Sequence, residues 1–240
     1  MTKPYNDAMK VSVVVPARNE ASVIGACLDS LLNQAASPYE TIVVDNGSDD
    51  HTIDVLRQYD KVIVVKEQRK GIVFARNTGF DAATGDVIAR CDADCRLPGN
   101  WTTRIVETLT NSDALAVTGP AQFYDVPAWM QSKVSTVHQL LYFGGSRRML
   151  GHETLFGSNM ALTKSAWSSV RGEVCTDETL IHEDIDLAIH LSQHGTIVLD
   201  PLLSALASLR GAREPVPELL SRLRRWRTTH TSHRQAREHP

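Results

Sequence analysis

The chain has 240 residues, 42% of them hydrophobic and 22% charged, enough to bury the core of one or two globular domains. No apolar run nears the roughly 18–20 residues of a membrane span, and the opening MTKPYNDAMK lacks an apolar secretory segment, which points to a cytoplasmic protein with four reduced cysteines. The net charge of −3 is uneven, with eight arginines against three glutamates from Arg210 onward and −8 on the rest of the chain.

In chain order, Val11–Val15 is a short β-branched run that reads as a strand buried on both faces and stops at Pro16. Residues 20–33 carry Val23, Ile24, Cys27, Leu28, Leu31 and Leu32 at helical spacing. A second strand, 41–44, ends at Asp45, and the turn Asn46-Gly47-Ser48 leads into a helix over about 49–59. A third strand over 62–65, a helix over 71–83 closed by Thr84-Gly85 and a fourth strand over 87–91 follow. Such alternation predicts right-handed βαβ units around a parallel sheet, whose ligands bind beyond the carboxyl ends of the strands. Pro16, Asp45 and Asp92 fall at those ends.

Beyond Asn100 the pattern loosens: a helix through Thr110, a strand at 114–118, an irregular stretch over 120–150, and a short helix over 164–170. An amphipathic helix then opens around His182-Glu183-Asp184, with Ile185, Ala188, Ile189 and Leu191 inward. Gly195 closes it, and a last strand over 196–199 precedes Pro201. Glu214-Pro215-Val216-Pro217 marks a break before a terminal basic helix. The domain organisation expected is one α/β unit over 1–212, with a ligand-binding half (11–100) and a second half (101–212), then a basic segment over 213–240.

The fourth strand ends in Cys91-Asp92-Ala93-Asp94-Cys95. Structural zinc takes four Cys/His ligands in paired short spacings, and Cys27 and Cys175 supply no second pair. A bond between Cys91 and Cys95 would strain the turn, so the cysteines read as packing residues. On an extended backbone Asp92 and Asp94 face one side, where their mutual repulsion calls for a cation; a hard divalent ion that keeps waters and bridges phosphates suits the pair.

Five segments in order then carry a resemblance: 13–20 (VVVPARNE), 43–50 (VVDNGSDD), 71–79 (GIVFARNTG), 83–94 (ATGDVIARCDAD) and 182–187 (HEDIDL). Together they resemble the family 2 glycosyltransferases of the GT-A fold over about residues 11–200. The resemblance implies an α/β, Rossmann-like, mostly parallel sheet with helices on both faces. It also implies an inverting transfer of a sugar from a nucleoside-diphosphate donor (a UDP-sugar, or a GDP-sugar) to an acceptor hydroxyl. In that reading Pro16, Ala17 and Glu20 face the nucleotide, with Glu20 near the ribose, and Asp45 accepts from the base unless it only shapes the Asn46-Gly47 turn. Arg76 reaches the base or diphosphate unless it is a surface arginine. Asp94 holds Mn²⁺ or Mg²⁺, with Asp92 beside it, and Asp184 is the general base unless Glu183-Asp184 merely favours a helix N-terminus. Gly157, Ser158, Asn159 and Glu183 line the acceptor side.

The chain departs from the pattern in two places. His182 stands where many relatives have Thr, and the histidine that often follows Asp-Pro is replaced by 204–210 (SALASLR). The sequence 222–226 (RLRRW) faintly resembles the Gln-x-x-Arg-Trp segment of processive synthases but has Arg222 in place of the glutamine; helix packing by Leu223 and Trp226 explains it equally well. The first strand leads into PARNE, without the glycines of a nucleotidyltransferase or a dinucleotide-binding loop. The partners implied are a nucleotide-sugar and a glycan, lipid-linked or small-molecule acceptor, with no nucleic acid. A non-catalytic nucleotide-sugar or glycan binder is the alternative. The Arg-rich end suits peripheral contact with an anionic membrane or lipid-phosphate acceptor, or else a solvated helix.

Overall fold

A seven-stranded, mostly parallel sheet forms the centre of the computed structural model, which describes residues 9–177, 179, 181–210, 224–225 and 228–229. The first half alternates β1 (Val11–Ala17), α1 (Ile24–Leu32), β2 (Glu40–Asp45), α2 (Thr52–Leu56), β3 (Val62–Lys66), α3 (Ile72–Ala82) and β4 (Val87–Arg90). The second contains α4 (Trp101–Asn111), β5 (Ala114–Thr118), β6 (Ala121–Phe123), α5 (Ala128–His138), α6 (Gly145–Leu150), β7 (Met160–Thr163), α7 (Lys164–Val170), α8 (Glu183–Leu191), β8 (Thr196–Leu199) and β9 (Ala205–Ala207).

The strand order is β3-β2-β1-β4-β7-β5-β8, with β7 antiparallel to both its neighbours and the other pairs parallel. Every residue of β1 and β4 is buried, as suits predominantly apolar central strands, Ser12 and Arg90 being their polar members. The outer strand β3 leaves Ile63 and Val64 exposed. One sheet face is covered by Cys27, Leu28 and Leu31 of α1 with Trp101 and Ile105 of α4. The other is covered by Ala75 and Phe80 of α3, Trp167 of α7, and Leu187 and Leu191 of α8. Each large apolar side chain buried in this way contributes roughly 1.5–3 kcal/mol. Helix α3 lies so close to β1 and β2 that a Cβ at Gly79 would collide with Val14 and Val44.

The alternation through residue 91 is as the sequence predicts; the second half differs. Residues 120–150 are regular, not loose: β6 is followed by α5, a π-helical segment (Gln139–Gly144) and α6. The strand over 196–199 is not the last, because β9 pairs in parallel with β6 in a small second sheet. The helix expected over about 49–59 is only Thr52–Leu56. The predicted basic helix over 213–240, with the 214–217 break and most of 222–226, lies outside the described residues.

Candidate active site

A cleft of about 930 Å³ opens beyond the carboxyl ends of β1 and β4, where the strand order reverses. Pro16, Ala17 and Glu20 line it from the β1–α1 segment, and Asp92 and Asp94 from the end of β4. Ser158, Glu183 and Asp184 face it from the β7 approach and the start of α8. These residues, up to 168 positions apart in the chain, meet because β1, β4 and β7 are neighbours.

A turn, closed by the Cys95 N–H donating to the Asp92 carbonyl at 3.0 Å, carries the two aspartates out of β4. The extended i, i+2 geometry expected for them is therefore replaced by a turn. Asp92 accepts from Ser158 Oγ at 2.5 Å and from Arg90 Nη2 at 3.2 Å. Burial, reinforced by the neighbouring Asp92 charge, pushes the Asp94 carboxyl up to about 6, although Arg210 opposes the shift. A carboxylate strained in this way by a second one favours a cation, and two oxygen donors suit a hard divalent ion completed by phosphate and water. Among the described residues no group of three or more His, Cys, Asp or Glu side chains gathers to hold a metal.

Behind the cleft lies a buried charge cluster. Glu183 accepts from Arg76 Nη1 at 2.6 Å and from Arg90 Nη1 at 2.7 Å. The same Arg90 nitrogen donates to Asp184 Oδ1 at 2.9 Å, and the Gly157 N–H donates to Asp184 Oδ2 at 2.8 Å. Burial works against the Glu183 charge, but Arg90 and Arg76 outweigh it and hold this carboxyl down at about 2. Asp184 moves the other way: burial first, then the Glu183 charge beside it, raise it well above the ordinary range. Three acidic side chains, Glu183, Asp184 and Asp92, share two guanidiniums here.

Gly157 has no room for a side chain, since a Cβ would stand 2.7 Å from both Asp184 oxygens and 2.8 Å from Arg90 Cζ. Phe123, His138, Phe156 and His182 form an aromatic wall on the Asp184 side of the cleft. Burial lowers His138 to about 4, so its ring is neutral at neutral pH.

Several expected assignments need correction. Arg76 is fully buried and spends its guanidinium on Glu183 and Asn77; it is neither a surface arginine nor presented to the cleft. Asp45 is buried and accepts from the Ser48 N–H at 3.2 Å, the turn-shaping role; its neighbour Asn46 lines the cleft and pins the 67–71 loop by bonds to Glu67, Arg69 and Gly71. Asn159 is wholly buried, donating to the Pro120 and Leu203 carbonyls and accepting from Trp101 Nε1, so it does not line the acceptor side. Glu20 does face the cleft, but its carboxylate is engaged by Arg210.

Two residues escaped the sequence reading. Arg90 had a signal: a charged residue in the otherwise apolar run 87–91 needs buried partners. Arg210 had none, because its segment returns to the cleft through the β6–β9 pairing and the Arg96–Leu206 bridge, both between residues far apart in the chain. The cysteines pack as expected: Cys91 and Cys95 are fully buried, and Cys91 Sγ lies 3.9 Å from Cys27 Sγ with all four thiols free.

The α/β fold, with its mostly parallel, Rossmann-like sheet, is of the GT-A type. Residues 12–168 match the glycosyl transferase family 2 model, and the chain belongs to that family. Glycosyltransferase AglE of Haloferax volcanii is 38% identical over 120 residues, which are 47% of this chain and 40% of that protein. The putative glycosyltransferase EpsH of Bacillus subtilis is 30% identical over 134 residues, 54% of this chain and 39% of that one. The chain thus spans about two fifths of the length of these relatives. In structure it is similar to mannosyltransferase PcManGT of Pyrobaculum calidifontis in complex with GDP-Man and Mn²⁺, with a TM-score of 0.66 and 23% identity over 87% of this chain and 61% of that one. It is also similar to residues 1–349 of S. aureus TarS in complex with UDP-GlcNAc, with a TM-score of 0.66 and 18% identity over 83% and 58% of the two chains. Both likenesses are of fold.

Proposed function

We propose that this chain transfers a sugar, with inversion, from a nucleoside-diphosphate donor to an acceptor hydroxyl, with Asp184 as general base. The observation that carries the reading is the meeting of Asp92, Asp94 and Asp184 in one cleft at a strand-order reversal. Pro16, Ala17 and Glu20 form the nucleotide side, in the 11–100 half, and Gly157, Ser158 and Glu183 support the acceptor side, in the 101–212 half. A UDP-sugar is the first donor to test and a GDP-sugar the second; a glycan, lipid-linked or small-molecule hydroxyl is the acceptor.

Asp94, with Asp92 beside it, would hold Mn²⁺ or Mg²⁺ against the diphosphate. When bound, such an ion supplies Lewis-acid stabilisation of the charge that builds on the leaving group. Asp184 takes the acceptor O–H proton as that oxygen bonds to the anomeric carbon, while the bond from that carbon to the diphosphate oxygen breaks and the nucleoside diphosphate leaves. A single displacement of this kind inverts the centre. Arg90 and the Gly157 N–H hold the two Asp184 oxygens in place. Among the described residues no helix is long and apolar enough to cross a membrane; the Arg-rich end would be the part to meet an anionic membrane or a lipid-linked acceptor.

The test is a panel of nucleotide-sugars incubated with Mn²⁺ and scored for release of nucleoside diphosphate. Turnover of one donor that is lost in Asp184→Asn supports the reading; turnover of none, or full activity of that variant, refutes it.

A further inference from the structure

Arg210 stands in the cleft, not in the core. Its Nη1 and Nη2 donate to the two Glu20 oxygens at 2.6 and 2.5 Å, and its Nε lies 2.8 Å from Asp94 Oδ2. One guanidinium therefore ties the β1–α1 segment to the carboxylate that ends β4. The side chain is 47% exposed, so it is held by charge and not by packing. Its segment is delivered to the cleft mouth: β9 pairs with β6, and Asp125 accepts from Ser208 Oγ and from the Leu209 N–H, both at 2.8 Å.

Glu20, Asp92 and Asp94 are three acidic side chains around one opening. Arg210 is a cation already seated among them, with its Nε on Asp94, a carboxylate that would hold a divalent ion. Two cations on one carboxylate oxygen repel strongly in a partly buried site, so either displaces the other. A guanidinium fork also matches a phosphate as well as it matches a carboxylate.

We infer that Arg210 is the resident counter-cation of Asp94 in the empty cleft and a ligand of the donor diphosphate in the loaded one. The inference rests on the nucleotide-sugar reading and adds to it an exchange of partners. Arg210 gives up Asp94 as the divalent ion arrives, and its released N–H groups turn to the phosphate oxygens. Donor and ion then bind cooperatively, because each removes what opposes the other. The segment after β9 thereby supplies a cation in the region where the Asp-Pro histidine is missing.

Two titrations of purified wild type and Arg210→Ala test this, with thermal melting to verify that the variant is folded. The first follows Mn²⁺ binding without nucleotide, by loss of the free-ion paramagnetic signal; the variant should bind several-fold more tightly, since the competing cation is gone. The second follows UDP and GDP binding by calorimetry at saturating Mn²⁺; the variant should bind about tenfold more weakly, the loss expected for one charge-assisted pair. The opposite signs separate an exchanging residue from one that merely braces the loop, which would weaken both. Unchanged affinity in either titration overturns the inference while leaving the donor reading intact. A wild type that binds neither UDP nor GDP overturns both.

Discussion

Arg90 and Asp184, 94 positions apart, meet at 2.9 Å, and the same guanidinium also reaches Glu183 and Asp92. A single buried arginine thus joins the aspartate pair at the end of β4 to the acidic start of α8. Removing it takes away the guanidinium that Glu183 and Asp184 share, while Arg76 still holds Glu183. Arg90→Leu should lower unfolding free energy by about 3–5 kcal/mol. Urea denaturation checks this, and adding Asp184→Asn to the same chain should recover part of the loss.

Asp184→Asn keeps the shape of the side chain but removes its capacity to accept a proton. Transfer should fall by about 100- to 10,000-fold while nucleoside-diphosphate affinity stays within twofold. Single-turnover kinetics beside calorimetry separate the two effects.

Gly157→Ala places a methyl group against both Asp184 oxygens and Arg90. The base must move or the loop must shift, so transfer should drop by about tenfold or more with donor affinity unchanged. A fall in donor affinity with unaltered turnover would place Gly157 on the other side of the cleft.

His138 is held at about 4 by burial, against an ordinary 6.5. Between those values the unfolded chain binds the proton and the folded chain does not, so this contribution to stability is complete above pH 6.5 and is lost as pH falls toward 4. The shift corresponds to roughly 3 kcal/mol. Melting curves from pH 7.5 to 4.5 should show an acid-side decline that is shallower in His138→Phe.

Much of the donor half was legible because each local signal there is also global. The runs Val13–Val15 and Val87–Ala89 are apolar on both faces, which marks central strands whose ends lie side by side. The second half was harder to read because its cues point away from a single core. Helix α5 and the π-helical segment leave Trp129, Val137, Leu140 and Leu141 exposed, so their apolar residues follow no inward stripe. Arg76 and Asp45 were placed in the cleft by motif, yet one neutralises Glu183 and the other shapes a turn. Spacing along the chain carries no information on which buried partner a charged side chain finds. Arg210 makes the same point from the other direction, since its contacts depend on a strand pairing formed across more than 80 residues.

The central claim is that the aspartate pair holds a divalent ion against the diphosphate of a nucleotide-sugar. Calorimetric titration of UDP and GDP into the wild type and Asp94→Asn, each with and without Mn²⁺, tests it most directly. Binding of one nucleotide that requires Mn²⁺ in the wild type and is lost in Asp94→Asn is the predicted result. No binding of either nucleotide, or binding indifferent to both the ion and the substitution, would contradict it.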